Sequence, residues 1–354
     1  MATIKFKGNG SAFYSDLKSR VDEYFKQRNL AQHGNKMIYI KSAIYLFTFL
    51  ATYVVLVFFT PMAAIAIPLT VVFGLLTAGI GFNIMHDGSH GTFSPNKTVN
   101  TVASWTLNML GASSFLWNIK HNMIHHTFTN IDGHDDDIMT EPFIRMCKSQ
   151  RKLKIHRYQH IYWVFLYGWM YAGWVFLLDF SKYFKKEIAA KSNIKFSVRA
   201  HIGFWVTKVI YVITFVILPL QFMPWTHWLV GYLTWLFTTG LITSIVFQLA
   251  HATEQTTFVE EEKAFEIESD WAVHQVQTTA NFGSRSRLLS FLTGGLNQQV
   301  EHHLFPKISH IHYPNLSPIV KEICEKHGLE YLEQPTFFHA VISHIKFLRR
   351  LGTA

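Results

Sequence analysis

The residues of this 354-residue chain with the clearest potential for chemistry are its 20 histidines, which nearly equal its 23 Asp plus Glu in number. Many of them fall in three short clusters, which read HDGSH, HNMIHH and QQVEHH. The clustered histidines are His86, His90, His121, His125, His126, His302 and His303. Because neutral imidazole binds iron, zinc, copper and nickel, three such clusters predict a metal site without identifying the metal.

The spacing within the clusters predicts more than one metal ion. His86 and His90 are four residues apart, so a helix places both imidazoles on one face, where they can bind one ion. His121 and His125 repeat this spacing, whereas the adjacent His126 points about 100° away on an α-helix. Adjacent histidines cannot easily chelate one ion, but they can bind two neighbouring ions. Since a tetrahedral zinc takes at most four protein ligands, the set fits two ions of higher coordination number.

Further candidates lie beside these clusters. His251 ends an apolar segment at the depth where His86 ends another, and an ionisable residue there is functional by default. His274 is either a ligand, an outer partner of a ligand or a packing residue. Asp87 and Glu301 lie inside clusters and are predicted to orient metal-bound imidazoles by accepting their ring N–H bonds. The acidic residues at 132–137 are interpreted mainly as a solvated turn.

The elements that must position these side chains are membrane helices. Hydrophobic residues make up 49% of the chain and charged residues only 16%. In soluble domains about a quarter of the residues are charged. At ~1.5 Å per residue, an apolar run of 18 or 19 residues matches a bilayer core. Two helical hairpins are predicted, with spans at about 42–60, 68–85, 202–220 and 228–250. Two less regular segments, 98–118 and the aromatic-rich 161–180, are placed in the membrane interface.

Charge sets the predicted orientation. The links 61–67 and 221–227 contain no Lys, Arg, Asp or Glu, whereas the basic clusters lie on the opposite side of four spans. Lysine and arginine favour the cytoplasmic side, so both termini and the histidines are predicted to face the cytoplasm. The fold is therefore predicted to be an all-α integral membrane protein with a cytosolic histidine-rich cap. Its parts are a cytosolic segment 1–41 and a membrane domain 42–354, of which 251–354 is cytosolic.

The net charge of +9 does not require a nucleic-acid partner, because it is accounted for by basic clusters beside the spans. Two cysteines, Cys147 and Cys324, exclude a disulfide scaffold. Basic residues such as Arg145 and Lys148 are candidates either for holding a phosphate or for anchoring the chain at the membrane surface.

The three clusters, in this order between paired apolar hairpins, resemble the histidine boxes of the membrane fatty acid desaturases. Gln299, which opens the third cluster, resembles the front-end subgroup (delta-5, delta-6 and related acyl desaturases). The resemblance extends to the flanking sequences HHTFTNIDGHDDDI and EHHLFPKISHIHYPNLSPIVKEICEKHGLEY. It covers most of the chain from about Met37 onward.

This resemblance implies a di-iron centre that activates O2 and removes two hydrogens from an acyl chain, giving a cis double bond and water. The implied iron ligands are the seven clustered histidines and His251, and Gln299 occupies a ligand position although glutamine is a poorer donor. The implied substrate is a fatty acyl chain carried by CoA, acyl carrier protein or a phospholipid. The first 41 residues hold one histidine, His33, and no HPGG. Haem is therefore not expected in this chain, and the electrons are expected from a ferredoxin or a free cytochrome b5 with its reductase.

Three alternatives remain open at this point. A hydroxylase on the same scaffold would insert oxygen instead of removing a second hydrogen. A zinc-dependent membrane hydrolase would use a metal-bound water and need neither O2 nor an electron donor. A metal transporter is less favoured, because its ligands are expected near the middle of the bilayer and these lie at span ends.

Overall fold

The computed structural model describes residues 4, 6, 12–260, 267 and 269–354, and most of them are helical, as predicted. The helices of the first half are α1 (Ala12–Gln27), α2 (Lys36–Phe59), α3 (Ala63–His90), α4 (Lys97–Met109), α5 (114–128) and α6 (Lys154–Lys185). Those of the second half are α7 (Val198–Leu220), α8 (Trp225–His251), α9 (Trp271–Thr278), α10 (Arg287–Thr293), α11 (Gln299–Leu304), α12 (Tyr313–Lys326) and α13 (Phe337–Thr353). Two short parallel strands, β1 (Asn281–Phe282) and β2 (Glu333–Gln334), pair beside α13.

Five of these helices, α2, α3, α6, α7 and α8, are long and apolar enough to cross a membrane. They identify a multi-pass membrane protein. Four of them contain the predicted spans, and the fifth, α6, contains the segment that the sequence places in the interface. Helix α3 extends to His90, beyond the predicted end at 85, because the first histidine cluster continues the helix. The other predicted interfacial segment, 98–118, is divided between α4 and α5.

Small residues allow the long helices to approach closely. Gly240 in α8 faces the backbone of α6, and a Cβ atom at that position would lie 2.3 Å from the carbonyl oxygen of Gly168. Gly74 in α3 similarly faces Thr238 of α8. Because hydrocarbon offers helices no hydrophobic drive to associate, close packing of small residues is a main source of stability there. These contacts bring α3, α6 and α8 together.

A buried ion pair joins α6 and α7 to the turn that precedes α5. The ammonium of Lys208 donates to Asp179 Oδ2 at 2.9 Å and to the carbonyl oxygens of Gly111 and Val175 at 2.7 and 2.8 Å. Asp179 also accepts from the backbone N–H of Ser113 at 2.8 Å. Trp174 Nε1 donates to the other carboxylate oxygen, Asp179 Oδ1, at 3.1 Å. Every polar atom of the pair is therefore satisfied, which low-dielectric surroundings require. The pair fixes the start of the helix that carries the second histidine cluster.

The N-terminal helix α1 is part of the cap around the third histidine cluster. It buries Phe13, Leu17, Val21 and Phe25, which repeat every four residues on one face. This face packs in one hydrophobic cluster with α9, α11 and α12, whose buried members include Val276, Val300, Leu304, Leu316 and Val320. Thus residues from both ends of the chain enclose the short helix α11.

We expect Leu17→Ala to destabilise this cap by about 2–5 kcal/mol, because Leu17 is fully buried and its removal leaves a cavity. Thermal unfolding of the purified protein in detergent measures the effect as a lower midpoint. The adjacent exposed residue provides the matched variant, Lys18→Ala, which is expected to leave the midpoint unchanged. Equal midpoints for both variants would contradict the packing of α1 against the cap.

Candidate metal centre

The three histidine clusters meet inside the protein as two neighbouring groups of imidazoles. The ligand nitrogens of the first group, His86, His90, His121 and His302, all lie within 4.8 Å of one another. The second group consists of His125, His251 and His303, under the same limit. His126 lies between the groups and is close to both His302 and His303. All eight side chains are buried.

Adjacent histidines of the third cluster point to different groups. His302 belongs to the first group and His303 to the second. The second cluster divides in the same way, since His121 belongs to the first group and His125 to the second. The structure therefore has two adjacent groups of imidazoles. The first draws on all three clusters, whereas the second draws on the second and third clusters and on His251.

A wide helical turn changes the direction of His126 from the one expected. Residues Ile119–His125 form a π-helical segment, in which hydrogen bonds join residues five apart. His121 and His126 are five residues apart, and their Nε2 atoms approach to 3.3 Å. The 100° separation expected from α-helical geometry is therefore wrong here. Another π-helical segment, Gly81–Met85, directly precedes His86.

Outer partners hold the rings of three histidines in a defined orientation. His125 Nδ1 lies 3.1 Å from a carboxylate oxygen of Asp135. His302 Nδ1 lies 3.0 Å from the phenol oxygen of Tyr313. His303 Nδ1 lies 2.8 Å from the side-chain amide oxygen of Gln275. Tyr313 donates its own O–H to the carbonyl oxygen of Ile308 at 3.0 Å, so it accepts from His302. In each pair the ring N–H is on Nδ1, which in the neutral imidazoles of His302 and His303 leaves Nε2 with a free lone pair.

The donor atoms that face the centre have the properties of metal ligands. The Nε2 atoms of His90, His125, His251, His302 and His303 are buried and have no hydrogen-bond partner among the residues that the structure describes. Unpaired buried polar atoms are costly unless a ligand satisfies them. The Nε2 atoms of His86 and His121 are 3.2 Å apart, the separation of two nitrogens that bind one ion at ~2.1 Å. The residues present therefore fit a bound pair of metal ions.

Burial also selects the ligating form of these imidazoles. It lowers the pKa of four of them well below the ordinary value, namely His121, His126, His302 and His303. These rings are therefore neutral at pH 7, as metal ligands must be. For His125, burial also lowers the pKa, but the carboxylates of Asp135 and Asp137 outweigh it and the net shift is upward.

The acidic turn after the second cluster is not simply solvated, as the sequence suggested. Asp135 is fully buried, and its carboxylate contacts His125. Asp136 and Asp137 form ion pairs with Lys120, and Asp136 also pairs with Lys182 of α6. The turn thus supports the second histidine cluster and joins it to α6. Asp135 follows His125 by only 10 residues, and this short spacing could have indicated their contact from the sequence.

The two carboxylates inside the clusters have partners other than the clustered imidazoles. Asp87 accepts from Ser309 Oγ at 2.7 Å and lies 3.0 Å from His310 Nδ1. It therefore joins the first cluster to the segment after the third. Glu301 contacts the Tyr331 hydroxyl and the Asn281 amide, both at 2.7 Å. Burial raises the pKa of Glu301 to about 7.

The remaining two candidates occupy different positions. Gln299 is buried, and neither of its amide atoms has a hydrogen-bond partner within the described parts of the chain. His274 is also buried, but its Nε2 lies 2.8 Å from the carbonyl oxygen of Thr129, and it belongs to neither histidine group. Since Thr129 contacts Gln275 and His303, His274 supports the segment that carries these partners.

Tyr313→Phe is expected to weaken metal binding by about 10–100-fold, because it removes the oxygen that accepts the ring N–H of His302. Competition with a chelator, followed by metal analysis of the purified protein, measures this affinity. Tyr158→Phe is the matched control, since Tyr158 is half exposed and is not part of either histidine group. Unchanged affinity in Tyr313→Phe would contradict the orienting role of the hydroxyl.

An apolar cavity of about 410 Å³ lies among the long helices, at the ends that connect α2 to α3 and α7 to α8. Phe73, Phe215 and Trp235 line it together with Tyr53. The same aromatic cluster contains Trp117, whose ring stacks on His121 at a centroid distance of 4.3 Å. Apolar side chains thus connect the cavity to the first histidine group.

Comparison with known proteins identifies the family. The sequence model of the family described as fatty acid desaturase matches residues 62–335. The chain is 33% identical to the sn-1 linoleoyl-lipid 6-desaturase of Arthrospira platensis over 98% of its own length and 94% of the relative's. It is 35% identical to the probable Delta(5) fatty acid desaturase C of Dictyostelium discoideum, covering 97% and 76%. It is 32% identical to the acyl-lipid (8-3)-desaturase of Physcomitrium patens, covering 99% and 74%. A buried double group of imidazoles in a helical membrane protein, together with these matches, shows that the chain belongs to the fatty acid desaturase family.

Proposed function

We propose that this enzyme is an oxygen-dependent, front-end acyl desaturase that uses two iron ions. The observation that carries the proposal is the pair of adjacent histidine groups, in which the buried Nε2 atoms of five members lack a hydrogen-bond partner among the described residues: His90, His125, His251, His302 and His303. The relatives' names support the front-end class, because they specify a 6-desaturase, a Delta(5) desaturase and an (8-3)-desaturase.

The proposed ligands follow the two groups. One iron would be held by His86, His90, His121 and His302, the other by His125, His251 and His303, with His126 between them. Gln299 is available to the centre but is a weaker donor than imidazole. When bound, the two irons supply the activation of O2. Overall, an acyl –CH2–CH2– unit, O2, two electrons and two protons give –CH=CH– and two water molecules.

The protein's own part in this reaction is to orient the ligands and to exclude water. Asp135, Tyr313 and Gln275 fix the ring N–H of their histidines, so that Nε2 faces the centre. Trp117 covers His121 on the side of the aromatic core. We propose that the acyl chain lies along this apolar core, toward the cavity at Phe73. A dry, shaped path holds the reacting carbons in one pose.

We propose four membrane spans, α2, α3, α7 and α8, with α6 in the interface. His126 and His251 both lie close to His303, so we expect the chain between them to cross the bilayer an even number of times. That stretch contains three long apolar helices, and at most two of them can cross. The helix ends favour α6 as the one that does not. Gln159 contacts Arg145, and Lys182 contacts Asp136, so both ends of α6 meet the loop after the second cluster.

The proposed orientation rests on the distribution of charge, and the proposed electron donor and acyl carrier follow from the reaction. We propose that the histidines and both termini face the cytoplasm, because the links at the far side carry no charged residues. The two electrons would come from a ferredoxin or from a free cytochrome b5 with its reductase. The acyl chain would be carried by CoA, acyl carrier protein or a phospholipid, and the relatives named as lipid desaturases favour a lipid.

Expression in a host with simple lipids, with double-bond positions mapped by mass spectrometry, tests the proposal. We expect a new double bond near the carboxyl end of the acyl chain, formed only when O2 is supplied. A hydroxylated product instead would assign the chain to hydroxylase chemistry. A product formed without O2, or an unchanged lipid profile in iron-loaded cells with a working reductase, would contradict the proposed function.

A further inference from the structure

A groove of about 570 Å³ lies beside the helices that carry the first two histidine clusters. Its walls come from the end of α3, from α4, from the start of α5 and from the loop before α7. Gly88 and Ser89 line the groove from the same turn of helix that carries His86 and His90. Since an α-helix is about 10 Å across, the groove and the imidazoles are separated by roughly one helix diameter.

The polar lining of this groove suits an anion. Ser104 and Ser114 contribute hydroxyl groups, Asn118 contributes an amide, and Lys191 and Lys195 lie at the rim. Its lining residues include no Asp or Glu. The Lys191 ammonium lies 3.9 Å from the sulfur of Met123, and no carboxylate of the described residues forms an ion pair with either lysine. Ammonium, hydroxyl and amide donors in one groove suit the binding of phosphate oxygens.

The groove also lies where an amphiphile would present its polar group. Trp105 lines it and is 46% exposed, and on the same face of α4 Val102 is 65% and Met109 is 63% exposed. The opposite face of α4 packs against the protein through Ala103 and Leu107, so this exposed apolar stripe is the face available to the membrane. The groove therefore connects an apolar, membrane-facing edge with a cationic rim, as a lipid's interfacial region requires.

We propose that this groove binds the phosphate of the group that carries the acyl substrate. The inference rests on the proposed function and deepens it. An acyl chain that is desaturated near its carboxyl end has only a few carbons between its carrier and the reacting carbons. The carrier must therefore be held close to the metal centre, and the groove lies one helix diameter from it. Arg145, another candidate for phosphate binding, is buried and donates to the carbonyl oxygens of Gln150 and Leu351, so it is already used.

Direct binding tests the proposal independently of turnover. Binding of three short-chain ligands to the purified full chain is measured by calorimetry: a phosphatidylglycerol, an acyl-CoA and a glycolipid without phosphate. In Lys191→Glu/Lys195→Glu, affinity for a phosphate-bearing carrier is expected to fall by at least about 20-fold, because each lysine near an anionic headgroup contributes ~1 kcal/mol. The control Lys185→Glu/Arg349→Glu makes the same charge change at exposed positions outside the groove and is expected to bind like the wild type.

The three ligands separate the possible sources of phosphate. Weaker binding of phosphatidylglycerol alone assigns the groove to phospholipid, and weaker binding of acyl-CoA alone assigns it to CoA; a loss for both supports phosphate recognition in general. Unchanged binding of both, an equal loss for the glycolipid or an equal loss in the control would overturn the proposal. If the wild type binds phosphate carriers through these lysines yet forms no double bond, the proposed function fails while the groove assignment stands.

Discussion

His303→Ala is expected to abolish desaturation and to lower the metal content of the purified enzyme. Its Nε2 is buried, lacks a hydrogen-bond partner within the described residues, and lies with His125 and His251 in the second group. Loss of an outer partner of a metal ligand typically costs about 10–100-fold in affinity or activity, and loss of the ligand itself is expected to cost more. Product yield by mass spectrometry and iron per chain by metal analysis measure the two effects.

The exposed His339 provides the control for this prediction. It lies at the start of α13, outside both histidine groups. His339→Ala is expected to retain full iron content and activity. If His303→Ala kept its iron and its activity, the second group could not be a metal site. If both variants lost iron equally, general unfolding rather than ligand loss would explain the result.

Asp179→Leu is expected to destabilise the folded protein by about 3–5 kcal/mol. The substitution leaves the Lys208 ammonium buried without its carboxylate, and an uncompensated buried charge is strongly unfavourable. Because Asp179 also accepts the N–H of Ser113, the turn before α5 loses its anchor, and the second histidine cluster is displaced with it. The yield of folded protein and its unfolding midpoint in detergent measure the loss.

The double variant Asp179→Leu/Lys208→Leu tests whether the unpaired charge or the altered packing causes the loss of stability. Replacing both members of a buried ion pair by apolar residues is often neutral or stabilising, so we expect the double variant to recover most of the lost stability. If the double variant were no more stable than Asp179→Leu, the hydrogen bonds to Ser113 and the neighbouring carbonyl oxygens, rather than the ion pair, would be what stabilises this region.

Local patterns were sufficient to identify the histidines that meet in the two groups. The four-residue spacing of His86 and His90 requires only that α3 continue beyond the apolar run, and it does so. The adjacent pair His302 and His303 predicts two neighbouring ions, which stays a prediction; in the structure His302 lies in the first group and His303 in the second, and both are close to His126. In such cases helical geometry alone relates sequence to structure, because the residues concerned belong to one short helix.

The outer partners could not be predicted in the same way. Gln275 precedes His303 by 28 residues, and Tyr313 reaches His302 from the next helix. No periodicity links such pairs, because tertiary packing brings them together. The π-helical segment around His121 was equally hidden, since nothing in the residue types of 119–125 distinguishes it from an α-helix. Composition alone does not decide the position of α6, because its apolar length suits a span while both of its ends contact the loop after the second cluster.

The ion pair of Lys208 and Asp179 also has a consequence for the biogenesis of the protein. A charged lysine on a membrane helix is costly during insertion unless a partner compensates for its charge. Asp179 precedes Lys208 by 29 residues, so the ribosome releases the carboxylate before the lysine-bearing segment reaches the bilayer. We therefore expect the order of synthesis to provide the counter-ion in advance, so that a helix made earlier assists the insertion of α7.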